Sequence, residues 1–84
     1  MTAVKLLLQL MDRKSELEHL RVADANIAAA RERIERQISI VARLTEGGHE
    51  VTTAQAILQT MRDTLEAMEE HRRSIKKEIA RNND

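Results

Sequence analysis

The chain has no cysteine, no proline and no aromatic residue, and only two glycines in 84 residues. Each absence excludes something. Without cysteine there is no disulfide framework and no thiolate zinc site. Without proline, and with glycine confined to Gly47-Gly48, nothing in the composition interrupts a helix on either side of that pair. Without Phe, Tyr or Trp, a core must be built from Leu, Ile, Val, Met and Ala. Chains shorter than about 70–80 residues are marginal on one such core unless they self-associate, and this one is only slightly longer. No charge of one sign dominates: 14 basic residues balance 14 acidic ones, interspersed in both halves. A nucleic-acid-binding surface, which concentrates basic charge on one face, is therefore not expected. No apolar run approaches the ~20 residues of a membrane span. Leu6-Leu7-Leu8-Gln9-Leu10-Met11 after Lys5 begins like a signal peptide. Asp12, Arg13 and Lys14 then follow at once, with no small-residue cleavage site. The expectation is one small cytoplasmic domain that needs no cofactor.

What the chain does have is period. Val51, Ala54, Leu58, Met61, Leu65, Met68, Arg72, Ile75 and Ile79 keep an unbroken 3-4 spacing, with Arg72 the one charge in the series. Such a repeat specifies a helix packed lengthwise on another. Gly47, with Gly48 beside it, is expected to end the first helix near Glu46 as its left-handed residue. Thr52-Thr53-Ala54-Gln55 fits a capping box, with Thr52 as N-cap. The sequence thus predicts helix 1 to about residue 46, a turn over 47–52 and helix 2 over about 53–81. So short a connection joins antiparallel neighbours.

On helix 1, Leu20, Ile27, Ile34 and Val41 recur every seven residues, and so do Leu17, Asp24, Arg31 and Ile38. Folding at the glycines sets the first series opposite Ile75, Met68, Met61 and Ala54. It sets the second opposite Ile79, Arg72, Leu65 and Leu58. One register closes both ladders, and it places the two charged intruders, Asp24 and Arg72, across from each other. They are expected to form a partly buried, register-fixing ion pair. Residues 1–14 form an apolar helical segment, and 15–84 the hairpin. Ser15-Glu16-Leu17-Glu18 offers a second capping box, but the lack of Pro and Gly favours helix 1 as continuous from about Thr2.

The fold class is all-α: an antiparallel helical hairpin of coiled-coil type that dimerises into a four-helix bundle. The apolar stripe is wider than a two-helix seam covers. Ala23, Ala30, Gln37 and Leu44 flank the seam on helix 1, and Ile57, Thr64 and His71 flank it on helix 2. A second copy is expected to bury them. Val4, Leu7, Leu8 and Met11 form a further stripe beyond the reach of helix 2 and are expected to mediate association.

From His19-Leu20-Arg21 through Ile27-Ala28, Gly48-His49-Glu50 and His71-Arg72 to Ile75, the chain resembles a family of short bacterial helical-hairpin proteins. These share a Gly-His-acid turn and a late His-Arg pair. The resemblance spans roughly residues 17 to 79. It implies a fold, with the turn and the His-Arg pair as recurrent features, and no established activity.

Candidate chemistry is sparse. Glu16 and His19 have the Glu-x-x-His spacing of di-iron bundles, but Met68 stands where a second motif would need Glu before His71. Glu18-His19-Leu20-Arg21 resembles the phosphoacceptor box of sensor kinases, with the acid before the histidine and no proline after it. Arg72, Arg73, Lys76, Lys77 and Arg81 form a basic end on helix 2. The simpler account of it is complementation of the helix dipole and pairing with Glu66, Glu69 and Glu70. The reading is a non-catalytic interaction or assembly module, a homodimer with room for an unidentified protein partner. The alternative is a phosphotransfer or phosphate-binding regulator using His19 or the basic end.

Overall fold

A computed structural model describes residues 2–82; Met1 and Asn83-Asp84, the ends of the two expected spans, lie outside the described residues. Two helices account for nearly all of it: α1, Thr2–Glu46, and α2, Thr52–Asn82, packed on each other as a hairpin. There is no strand among the described residues. With neither Pro nor Gly before position 47, α1 runs unbroken through Ser15. The capping box there stays unused, and Glu18 instead accepts from the Arg21 guanidinium at 2.6 Å. The 45 residues of α1 span about 68 Å at 1.5 Å per residue, which accounts for the 70 Å length of the molecule. The 31 residues of α2 reach only about 46 Å. The chain before about residue 14 is therefore an extension of α1 that projects about 20 Å past its partner.

The cross-helix bonds fix the direction. Gln37 reaches Ala54, Arg31 reaches Glu69, Arg72 reaches Asp24, and Asn82 reaches Glu16. Residue numbers rise on one helix as they fall on the other, so the pair is antiparallel.

The face that α1 turns to α2 differs from the expected one. Ala23, Ile27, Ala30, Ile34 and Gln37 are buried, with Leu20, Val41 and Leu44 half-buried. The seam combines Leu20, Ile27, Ile34 and Val41 with the Ala23, Ala30, Gln37 and Leu44 series. Leu17 and Ile38, expected inside, are 49% and 43% exposed. The reason lies mid-helix. A seam through Leu17 and Ile38 must also bury Asp24 and Arg31, and desolvating charges is costly even when they are paired. A seam through Ala23 and Ala30 leaves both charges at the edge and lets the axes approach. On α2 the expected series holds: Ala54 and Leu58 are buried, and Met61, Leu65, Met68, Arg72, Ile75 and Ile79 are half-buried.

The turn is built from backbone. Gly47 N–H donates to the Arg43 carbonyl at 3.1 Å, Gly48 N–H to Thr45 at 3.1 Å, and His49 N–H to Leu44 at 2.9 Å. The last two bonds are those of a Schellman motif, in which the left-handed residue follows the C-cap. That residue is Gly48, at φ 70°, and not Gly47 as the sequence suggested. Gly47 remains helical enough to make one more bond along α1. The His49 ring folds back over it, and a β-carbon on Gly47 would stand 2.7 Å from its Cδ2.

The start of α2 also differs in detail. The Val51 carbonyl accepts the first helical bond, from Gln55 N–H at 2.9 Å, so Val51 is the cap and Thr52 the first helical residue. In place of a capping box, the Glu50 carboxylate accepts from Thr52 N–H. Hydrogen bonding by the Thr52 hydroxyl, then by its N–H, holds the Glu50 carboxyl below the usual glutamate range.

Two expectations follow. Gly48→Ala puts a side chain at positive φ and should destabilise the hairpin by about 1–2 kcal/mol. Gly47→Ala need only displace the exposed His49 imidazole and should be near neutral; thermal melts of both variants make the comparison. The depressed carboxyl of Glu50 stabilises the fold above its unfolded-state value, and that contribution disappears as pH falls through its folded value. The melting temperature of Glu50→Gln should therefore trail the parent at pH 7 and converge with it as acidification protonates the folded-state carboxyl; a gap constant with pH would show that the charge is not what caps α2.

Candidate functional site

Three features carry whatever the molecule can do: its seam locks, its two long sides and its projecting arm. The first lock is Gln37. It is 8% exposed, and its Nε2 donates to the Ala54 carbonyl at 2.9 Å. A buried side-chain amide joined to the first turn of the opposite helix fixes where α2 starts relative to α1. The second lock is the expected pair: Arg72 Nε lies 2.5 Å from Asp24 Oδ1. It sits on the edge of the seam, with side chains 35% and 51% exposed, so water screens it. Arg31 and Glu69 add a second bridge on the same side at 3.2 Å.

These bridges make the long sides of the hairpin unlike. One side is a polar groove lined by Asp24, Ala28, Arg31, Glu69, Arg72 and Arg73. The other has an apolar groove of about 190 Å³ lined by Ala30, Arg33, Thr60, Met61, Thr64 and Met68. Thr60 and Thr64 donate their hydroxyls back to the Ala56 and Thr60 carbonyls at 3.1 and 2.9 Å. Their polar atoms are thus engaged within α2.

Of the residues assigned to association from sequence, Ala23, Ala30 and Gln37 are buried inside the hairpin and Leu44 is half-buried. The second helix of the same chain already covers them. Ile57 remains 44% exposed, and Thr64 and His71 are exposed beside it. Val4, Leu7, Leu8 and Met11 stand on the projecting arm with Leu6 and Leu10, all between 55% and 63% exposed. The sequence reading left Leu6 and Leu10 out of this stripe, and with them the apolar arc of the arm is wider.

The histidines do not meet. His19 lines a depression at the open end with Glu16, Ser74, Lys77, Glu78 and Arg81. His49 lies at the turn against Ile40, Arg43 and Leu44, and His71 is exposed on α2. Among the described residues no three His, Asp or Glu side chains gather to hold a metal ion. Glu16 accepts a bond from the Asn82 amide with one oxygen and buries the other without a partner. Arg81, in the same depression, pairs with Glu78 at 3.3 Å.

No family model matches the chain, and no curated protein or solved structure matches it. No described helix is long and apolar enough to cross a membrane.

The exposure of the Asp24–Arg72 pair sets its energy. A double-mutant cycle through Asp24→Ala and Arg72→Ala should give a coupling of about 0.5–1 kcal/mol, at the upper end for surface pairs. That is well short of the several kcal/mol a buried pair would show. Strict additivity would mean that the bridge is not populated in solution.

Proposed function

We propose that this chain is a non-catalytic assembly module, a helical hairpin that self-associates into a bundle of four helices. The observation that carries the reading is the arm. Six large apolar side chains lie at least 55% exposed on a segment that α2 does not reach. Contiguous apolar surface of this kind marks an interaction site more often than a free surface. The hairpin gives a second reason, since no large side chain among the described residues is fully buried. A two-helix seam this shallow offsets little of the ordering entropy of about 1–2 kcal/mol per residue.

The arm also has direction. The positions that continue the seam toward the N-terminus are Glu16, Arg13, Gln9, Leu6 and Thr2, four of them polar. Val4, Leu7, Leu8 and Met11 stand on the side of α1 turned away from α2. The arm is thus shaped for something other than a longer α2.

A second reading, phosphate handling at His19, has one observation in its favour: Lys77 and Arg81 line the same depression. Glu16 and Glu78 line it too and balance those charges. Acid-labile label on His19 after incubation with acetyl phosphate would reverse the order of the two readings.

Sedimentation equilibrium at micromolar concentration should find no stable folded monomer. Deleting residues 2–12 should leave the hairpin helical by circular dichroism and weaken or change the oligomer found by sedimentation. A cooperatively folded monomer of the full chain would defeat the proposal.

A further inference from the structure

We infer that the second copy packs on the apolar long side of the hairpin, antiparallel, about a two-fold axis that passes at the level of Thr64. This rests on the self-association reading and assigns it a face. The first observation is charge. On that side α2 presents Ile57, Thr60, Thr64, Ala67, His71 and Ser74, alternately four and three residues apart and all exposed. None is an acid or a permanent cation in a chain one-third charged. The opposite side is occupied by the Asp24–Arg72 and Arg31–Glu69 bridges, which stay hydrated at the rim. Burying α2's half of this side strands no ion and leaves Arg33 and Arg36 of α1 as its cations, whereas burying the bridged side would desolvate four paired groups.

The second observation is that the stripe is ready to be dried. Hydroxyls normally resist burial, but those of Thr60 and Thr64 are already bonded to their own helix. What remains to meet a partner is methyl surface, next to the groove between Ala30, Met61 and Met68.

The third observation is that the side suits a second copy. An isologous interface must read the same in both directions from its axis. Ile57 and His71 lie seven residues either side of Thr64, so each meets the other's counterpart across an antiparallel pair. On the same side of α1, the exposed Val22 and Ile40 lie nine residues either side of Arg31. Arg31 is level with Thr64, because the Asp24–Arg72 bond stands about two turns away along both helices. Two symmetric sets, one on each helix, thus share one axis. The arrangement also staggers this side's cations, setting Arg33 opposite Ala29 and Arg36 opposite Asn26, so that no arginine faces its own copy.

The area is of the order that a dimer needs. From His19 to Arg43 the face is about 36 Å long at 1.5 Å per residue, and the molecule is about 15 Å across. The flat projection is about 540 Å² per copy before side-chain relief is added. That lies just below the roughly 600–1,000 Å² per partner of stable interfaces, and side-chain relief adds to it.

With no native cysteine, single-cysteine variants of the full chain test this directly. Thr64→Cys places the thiol at the axis, and Glu66→Cys places it on the bridged side at nearly the same level. With a short bis-maleimide linker, Thr64→Cys should give covalent dimer and Glu66→Cys should not. Thr64→Glu, which sets two carboxylates against each other, should raise the dimer dissociation constant about tenfold or more. Its helical content when concentrated separates dissociation from misfolding. If the chain sediments as a dimer but Glu66→Cys cross-links as well as or better than Thr64→Cys, the face is wrong and self-association stands. If the chain is a folded monomer, both fail together.

Discussion

The structure depends on how closely α1 can approach α2, and Ala23 and Ala30 set that distance. They alternate with Ile27 and Ile34 along the buried line of α1. Small residues let the axes draw together, and the branched residues between them fill the space beside the alanines. On the facing helix the half-buried Met61 and Met68 are unbranched and flexible enough to fit what remains. No aromatic ring is available to fill a wider gap, so a seam without alanines would leave voids. The choice of this line then fixes everything else: which charges reach the rim, which threonines face outward and which leucines are left bare.

The seam rotates α1 so that its acids and bases fall unevenly on the two sides. Asp24 and Arg31 come to the edge where α2 offers Arg72 and Glu69, and two bridges form. The bridges lie at mid-height, and Gln37 holds Ala54 nearer the turn. These polar bonds add modest stability in water, but each is satisfied in one register only. Sliding α2 by one heptad would keep apolar residues against apolar residues and break all three. Hydrophobic spacing thus makes the helices pair, and the polar groups decide where.

The sequence carried the hairpin almost completely. The unbroken series on α2, the paired glycines and the absence of proline placed both helices within a residue or two of their ends. The Asp24–Arg72 contact followed from the fold-back alone. The buried face of α1 was not legible in the same way. Leu17 and Ile38 are more hydrophobic than Ala23 and Ala30, so a ranking by residue type selects the wrong line. Only the cost of burying Asp24 and Arg31 between them selects the right one. The turn shows a similar limit. Two adjacent glycines say that one of them is left-handed, and the backbone bonds from Gly48 and His49 decide which. Glu50 as the acid ahead of α2, and Gln37 as donor to Ala54, depend on where the chain arrives after the turn, which spacing does not encode.

The same register bears on the projecting arm. Were α1 merely longer than it needs to be, its surplus turns would continue the pattern of the paired part, with apolar residues on the seam line and polar ones outside. They do the reverse. The seam line becomes Glu16, Arg13, Gln9, Leu6 and Thr2, while Val4, Leu7, Leu8 and Met11 occupy the outer face. Along one straight helix the apolar surface therefore changes sides where α2 ends. A packing on the Thr64 side engages residues up to about His19 and leaves both arms outside, one at each end. In the proposed packing the arms would present apolar surface at both ends, facing away from the paired hairpins. The threonine-rich side and the leucine-rich arm are therefore two exposed surfaces of different character on one hairpin.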